Sequence, residues 1–183
     1  MLELKEGRPS DFDTRSDIEK AVYTFLDDLN VSYLRLDHEP AFTMEICQEI
    51  DKSLGALICK NLFLTNRQKT DFYLLMMPAD KVFKTKELSK ALGVSRLSFG
   101  EEEKMIELLS TSAGSASVLG LINDKEKRVR LVIDEDVLKG EYFGCHPCVN
   151  TSSLKIKTSD LTDVILKKLH RDYTVVTLFG DVQ

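Results

Sequence analysis

The stretch Leu57-Ile58-Cys59-Lys60-Asn61-Leu62-Phe63-Leu64 places a lysine and an amide in the middle of what otherwise reads as a buried strand. Strand side chains alternate faces, so Leu57, Cys59, Asn61 and Phe63 share one side, and Ile58, Lys60, Leu62 and Leu64 the other. Apolar character on both faces marks a central strand covered above and below. A lysine there loses hydration unless it finds a partner or opens onto a cavity. Lys60 is therefore a candidate site residue; the alternative is a lysine snorkelling from a strand end.

Working outward, the flanking segments predict a mixed architecture. Ser16 followed by Glu19 resembles a capping box, and Ile18, Val22, Phe25, Leu26 and Leu29 recur with helical spacing over about 14–30. Tyr33 to Leu36 reads as a short strand, His38-Glu39-Pro40 as a turn, and Thr43 as the cap of a helix running to about Lys52. Strands over 56–64 and 71–77 form a hairpin through Thr65-Asn66-Arg67-Gln68-Lys69-Thr70. Helices follow over about 85–92, stopping at Gly93, and over about 101–109, with three glutamates at its start. Strands are expected near 117–123, 129–134 and 152–157, then a last helix capped by Ser159, with Val175 to Phe179 as a strand or a local return. These elements predict one α/β domain with a mixed sheet over residues 1–183.

Composition bounds the class. The 183 residues are 43% hydrophobic and 30% charged, ordinary for a globular chain of one domain. No apolar run approaches the roughly 20 residues that span a bilayer. Met1-Leu2-Glu3-Leu4-Lys5-Glu6 lacks the order of a secretion signal, so a cytoplasmic location is the expectation. The net charge of −5 conceals an asymmetry. Residues 1–59 carry 6 basic and 13 acidic groups, whereas 60–100 carry 8 basic and 3 acidic, with Lys81, Lys84, Lys86, Lys90 and Arg96 around a predicted helix. A protein gripping a long RNA is usually basic throughout. A local patch fits contact with the end of a nucleic acid, or else a solvated helix face.

Two further segments carry chemistry. In Gly114-Ser115-Ala116-Ser117 the small residues let the backbone approach a ligand and aim amides at it, the arrangement that stabilises an oxyanion in ester hydrolysis. Such a turn is also a common connector. In Cys145-His146-Pro147-Cys148 the spacing mimics a redox motif, but a strand-like run follows Cys148 where a thioredoxin-like dithiol needs a helix N-terminus. No second Cys/His pair completes a zinc site, so neither metal nor cofactor is expected. His146 beside Pro147 either bonds backbone or faces a ligand; His170 reads as a helix-end cation.

Cys59-Lys60-Asn61-Leu62-Phe63-Leu64, the Gly114–Asp124 segment and Gly144-Cys145-His146-Pro147, in this order and spacing, resemble the prolyl-tRNA-editing deacylase family. This group holds YbaK, the insertion domain of bacterial prolyl-tRNA synthetase, and the free-standing alanyl-tRNA(Pro) deacylases labelled ProX or PrdX. Arg96-Leu97-Ser98-Phe99 and His146-Pro147 look like the last subgroup, and the resemblance covers about 33–170. It implies a curved, barrel-like sheet flanked by helices, and hydrolysis of mischarged tRNA(Pro), foremost Ala-tRNA(Pro), assisted by the substrate's own ribose hydroxyl. Non-catalytic aminoacyl-tRNA binding and deacylation of Cys-tRNA(Pro) are the alternatives. The implied catalytic set is Lys60 with backbone donors at Gly114 and Ser115. The implied substrate contacts are Asn61, Arg96, His146 and Asn123, with His38 near the pocket. The implied partner is the acceptor end of tRNA(Pro), with prolyl-tRNA synthetase as a further candidate. The family's Gly-x-x-x-Pro loop has Val118 here in place of proline, which removes a fixed φ.

Overall fold

The computed structural model describes residues 3–40 and 44–180. Among them nine strands form one mixed sheet: β1 (Leu4–Glu6), β2 (Tyr33–Asp37), β3 (Leu57–Thr65), β4 (Phe72–Pro78), β5 (Ser98–Phe99), β6 (Val129–Asp134), β7 (Tyr142–Cys145), β8 (Ser152–Lys157) and β9 (Tyr173–Val176). The hydrogen-bonded order is β1-β2-β8-β7-β3-β4-β6-β9, with β5 set against β3 off this path. The pairs β3–β7, β4–β6 and β6–β9 are parallel and the rest antiparallel. The helices are α1 (Asp17–Asp28), α2 (Met44–Leu54), α3 (Thr85–Leu92), α4 (Glu102–Leu109), α5 (Glu135–Lys139) and α6 over 158–168, whose middle turn is π.

Both faces of β3 are covered, as its sequence requires. Cys59 and Phe63 join a core with Met76, Leu131, Phe143, Leu154 and Ile156, so one face of strands β3, β4, β6, β7 and β8 feeds a single cluster, as a curved sheet does. Leu62 and Leu64 belong to a second cluster with Leu75, Met77, Leu88 and Leu97, beneath α3. All seven residues of β4 are buried, which fixes it as the centre of the sheet. Helix α1 starts where Ser16 Oγ accepts from Glu19 N–H. Only that half of the capping box forms, because the Glu19 carboxylate turns inward to Arg15 and the Tyr23 hydroxyl. Gly93, at φ 66°, closes α3 in the left-handed conformation.

Three expectations need correction. Residues 118–122 form a 3-10 helix, Val118–Ile122, in place of a strand: Ser117 Oγ accepts from Leu119 N–H and starts a helical turn. Four of its five residues are buried, and such a short run carries no period to separate helix from strand. The last helix begins before Ser159, and its N-cap Lys157 makes no side-chain cap bond. The first helix is shorter than 14–30, ending before Asn30, which has φ 53°. The proposed cap at Thr43 lies outside the described residues.

A buried ion pair ties the turn that enters β6 to the segment that enters β9. Arg171 donates to Val129 O at 3.1 Å and to Asp124 Oδ2 at 2.9 Å. Asp124 also accepts from the amides of Arg128 and Val129 at 3.0 and 2.8 Å, closing the turn that enters β6. The side chains are 5% and 1% exposed. Removing one partner leaves an uncompensated buried charge, so Arg171→Ala is expected to lower stability by about 3–5 kcal/mol, read from urea denaturation.

Candidate functional site

One edge of β3 is interrupted. On one side β4 pairs with every residue from Cys59 to Thr65. On the other side β7 pairs only at Leu57 and Ile58, and β5 only at Leu64 and Thr65. Cys59 to Phe63 therefore have no strand alongside them over about 16 Å of edge at about 3.3 Å per residue. Ala79 N–H donates to Ile58 O, and Gly100 N–H, on the opposite side, donates to Phe63 O. Backbone groups alternate sides along a strand, so those of Asn61 face into the interruption. Lys60 opens onto a cavity on one face of this edge, whereas Asn61 Oδ1 is buried on the other.

The parallel register brings the His-Pro turn to the same notch. Ile58 lies beside Gly144, and β7 ends one residue later at Cys145, so the His146 turn begins just beyond the last paired residues. Cys59 and Cys145 are both buried in the same core cluster. His146 Nδ1 lies 2.8 Å from Ser152 O. A carbonyl can only accept, so Nδ1 carries the proton and Nε2 remains an acceptor. Burial and the neighbouring His38 hold the His146 pKa below its ordinary value and keep the ring neutral. The two imidazoles stand 6.3 Å apart, and His38 is fixed by Ser153 Oγ at 3.0 Å and Glu39 O at 2.8 Å. Ser152 also bonds the Tyr23 hydroxyl, so α1 buttresses the turn from behind.

Lys60 sits half-buried on the other face. Its ammonium donates to Ala79 O at 3.2 Å and to Lys81 O, which leaves one of its three protons for a ligand. Burial lowers its pKa, with partial compensation from Asp80. Lys60 lines an open cavity of about 590 Å³ with Leu62, Phe83, Lys84, Thr85, Lys86 and Phe99. Lys81, which supplies one of these carbonyls, is itself pinned by Asp134 and Asp136 at 2.7 Å each and by Leu178 O at 2.6 Å. The anchor of Lys60 is thus rigid. Across the strand, Asn61 Oδ1 is buried with no hydrogen-bond partner among the described residues.

The glycine loop ends at Ser117, which is fully buried and whose Oγ accepts from Leu119 N–H at 3.2 Å. Gly114 has φ 86°, which a side chain rarely adopts. Ser115 N–H is turned inward to Ser112 O at 3.2 Å, whereas the amides of Ala116, Ser117 and Val118 meet no acceptor among the described residues. Asn123 donates to Leu109 O at 3.1 Å and closes the end of α4. Arg96 is exposed and lines a second cavity of about 670 Å³ that shares Thr85 and Phe99 with the first. Lys60 and Asn61 are thus neighbours on opposite faces of β3, neither is hydrogen-bonded to His146 or to the glycine loop among the described residues, and Arg96 stands exposed at the second cavity. The sequence reading named Ser117 only as a small residue of the loop and Phe99 only within the segment 96–99, and passed over Phe83; the excess of cations around Phe83 and Phe99 was the available signal.

The cysteines are not a reactive set. Burial raises the thiol pKa values of Cys59, Cys145 and Cys148, that of Cys145 to about 12, and all four cysteines are free. Among the described residues no cluster of His, Cys, Asp and Glu could hold a metal ion. No described helix is long and apolar enough to cross a membrane.

Comparison with known proteins identifies the family and the fold. The model of the aminoacyl-tRNA editing domain matches residues 38–164. The chain is 29% identical to "Prolyl-tRNA editing protein ProX" of Acetoanaerobium sticklandii, covering 81% of this chain and 91% of that one. It is 30% identical to "Prolyl-tRNA synthetase associated domain-containing protein 1" of Danio rerio, covering 84% of each. Its fold matches the crystal structure of a candidate trans-editing enzyme for prolyl tRNA synthetase with a TM-score of 0.66, over 90% of this chain and 99% of that one, at 13% identity.

Two predictions arise from the site. The folded pKa of His146 lies below its ordinary value of 6.5, so the unfolded chain takes up the proton first as pH falls. Stability carried by the neutral ring is complete above about pH 6.5 and declines below it. The urea midpoint should drop across that range, and less so in His146→Asn, whose amide N–H can still reach Ser152 O. Separately, Ser117 is extended at φ −148° and ψ 147°, the conformation a following proline favours, and Val118 opens a helical turn. Val118→Pro should therefore fold with a melting temperature within a few degrees of the parent; a large loss would contradict this reading of the loop.

Proposed function

Because this chain belongs to the aminoacyl-tRNA editing domain family, we propose that it is a trans-editing hydrolase that removes a mismatched amino acid, foremost alanine, from tRNA(Pro). The observation that carries the reading is Lys60. A lysine on a central strand, fastened to two backbone carbonyls beside an open cavity, is placed to bind an anion and costs stability otherwise. The ribose-phosphate end of an aminoacyl-tRNA supplies that anion.

The chemistry needs little from the protein beyond position and charge. The ester of an aminoacyl-tRNA is already activated, and the adjacent ribose hydroxyl assists attack by water. No covalent intermediate is required. As water adds, negative charge grows on the carbonyl oxygen, and preorganised backbone donors lower that barrier directly. In this reading the loop from Gly114 to Val118 supplies those donors, and Ser117 and Val118 offer them more directly than Ser115, whose amide is already bonded. The buried, unpartnered Asn61 Oδ1 accepts from the α-ammonium of the esterified amino acid. His146, neutral with Nε2 open, orients the terminal nucleotide. Lys60 holds the ribose-phosphate, and Arg96 takes a phosphate of the acceptor end from the rim.

Lys60→Ala should reduce single-turnover deacylation of Ala-tRNA(Pro) by about 100-fold or more. It should leave the fold intact, since the lost carbonyl bonds contribute only about 1 kcal/mol each. Parental rates in this variant would remove Lys60 from the mechanism.

A further inference from the structure

The rim of the cavity beside Lys60 carries an aromatic residue that the core does not use. Phe99 is 61% exposed although it belongs to β5, the two-residue strand that closes one end of the notch. Its ring meets Phe83 edge-on at 5.8 Å and 67°. Its position is fixed from below: Gly100 N–H bonds Phe63 O at 2.9 Å, and a Cβ at Gly100 would lie 2.3 Å from the Phe63 ring. Only glycine lets the segment lie so close to β3, so Phe99 is held as a rigid exposed platform. Both cavities, of about 590 and 670 Å³, have Phe99 in their walls. Around it stand Arg67, Lys86 and Arg96, exposed and without ion pairs among the described residues.

We propose that Phe99, backed by Phe83, is a stacking platform for a base of the single-stranded 3′ end of the RNA, with Arg67, Lys86 and Arg96 taking its phosphates. The inference rests on the reading that the chain acts on aminoacyl-tRNA, and it assigns part of that site. The combination selects this occupant on chemical grounds. An exposed aromatic face among unpaired cations matches a strand that offers both base faces and phosphates. A paired stem hides its base faces and would use only the cations. The notch follows directly from the platform along β3, so a strand stacked on Phe99 is led toward Lys60.

The test uses uncharged RNA, so it is independent of hydrolysis. A hairpin copying the acceptor stem of tRNA(Pro), ending either in single-stranded ACCA or flush, is titrated against the whole chain by fluorescence anisotropy. The parent should favour the tailed hairpin. Phe99→Ala should erase about 10-fold of that preference while leaving flush-ended affinity unchanged. Lys86→Ala should weaken both RNAs alike and reduce the salt slope. Since the chain has no tryptophan, Phe99→Trp introduces a single reporter, which should keep tail binding and be quenched by the tailed RNA alone. Unchanged binding by Phe99→Ala, equal loss on both RNAs, or no preference for the tail in the parent would each overturn the platform. Tail preference without deacylation would sink the enzymatic reading and leave the platform standing; deacylation without tail preference would do the reverse.

Discussion

The interrupted ladder along β3 is the constraint on which the site depends. A central strand is normally paired on both sides, and its backbone is closed to ligands. Here β4 completes one side, while β7 and β5 cover only the ends of the other. The result is a stretch of strand held by the most buried element of the sheet, yet with one edge free of pairing. Such an edge combines rigidity with access, which loops rarely achieve together.

The elements around the notch divide the work by chemistry. β7 delivers His146 by parallel register, and the Ser152 carbonyl sets its tautomer. The turn into the 3-10 helix leaves the amides of Ala116, Ser117 and Val118 without an acceptor among the described residues. The cation side is separate: Lys60 is anchored on backbone carbonyls, behind which Lys81 is clamped by Asp134 and Asp136. No nucleophile is poised, and the buried thiols have raised pKa values. The arrangement is one of preorganised dipoles and charge, which suits a reaction whose electrophile arrives activated.

Much of this was legible in the sequence where the signal is local. The two-faced apolar pattern of β3, the turn into β4, and Gly93 ending α3 each follow from side-chain period or turn chemistry. Lys60 stood out as a candidate for the same reason, a charge interrupting a buried pattern, with a lysine snorkelling from a strand end as the alternative. The run Val118–Ile122 was not legible, because a short run with four of its five residues buried carries no period, and a single Ser117 bond decided the helical turn. β5 is two residues long, below any pattern. The notch itself arises from strand order, and pairings such as His38 with Ser153 join residues 115 positions apart. Phe99 read as one more apolar residue until the fold left it exposed.

The central claim is that this notch serves hydrolysis of mischarged tRNA(Pro), and a deacylation panel tests it most directly. Purified protein is mixed with Ala-tRNA(Pro), Pro-tRNA(Pro), Cys-tRNA(Pro) and Ala-tRNA(Ala), and loss of each ester is followed against its spontaneous rate. The account predicts rapid loss of alanine from tRNA(Pro), with Pro-tRNA(Pro) and Ala-tRNA(Ala) spared. Turnover of the cysteinyl ester alone would keep the enzyme and change the amino acid. Spontaneous rates for every ester, with RNA binding retained, would contradict the account and leave a protein that recognises aminoacyl-tRNA without cleaving it.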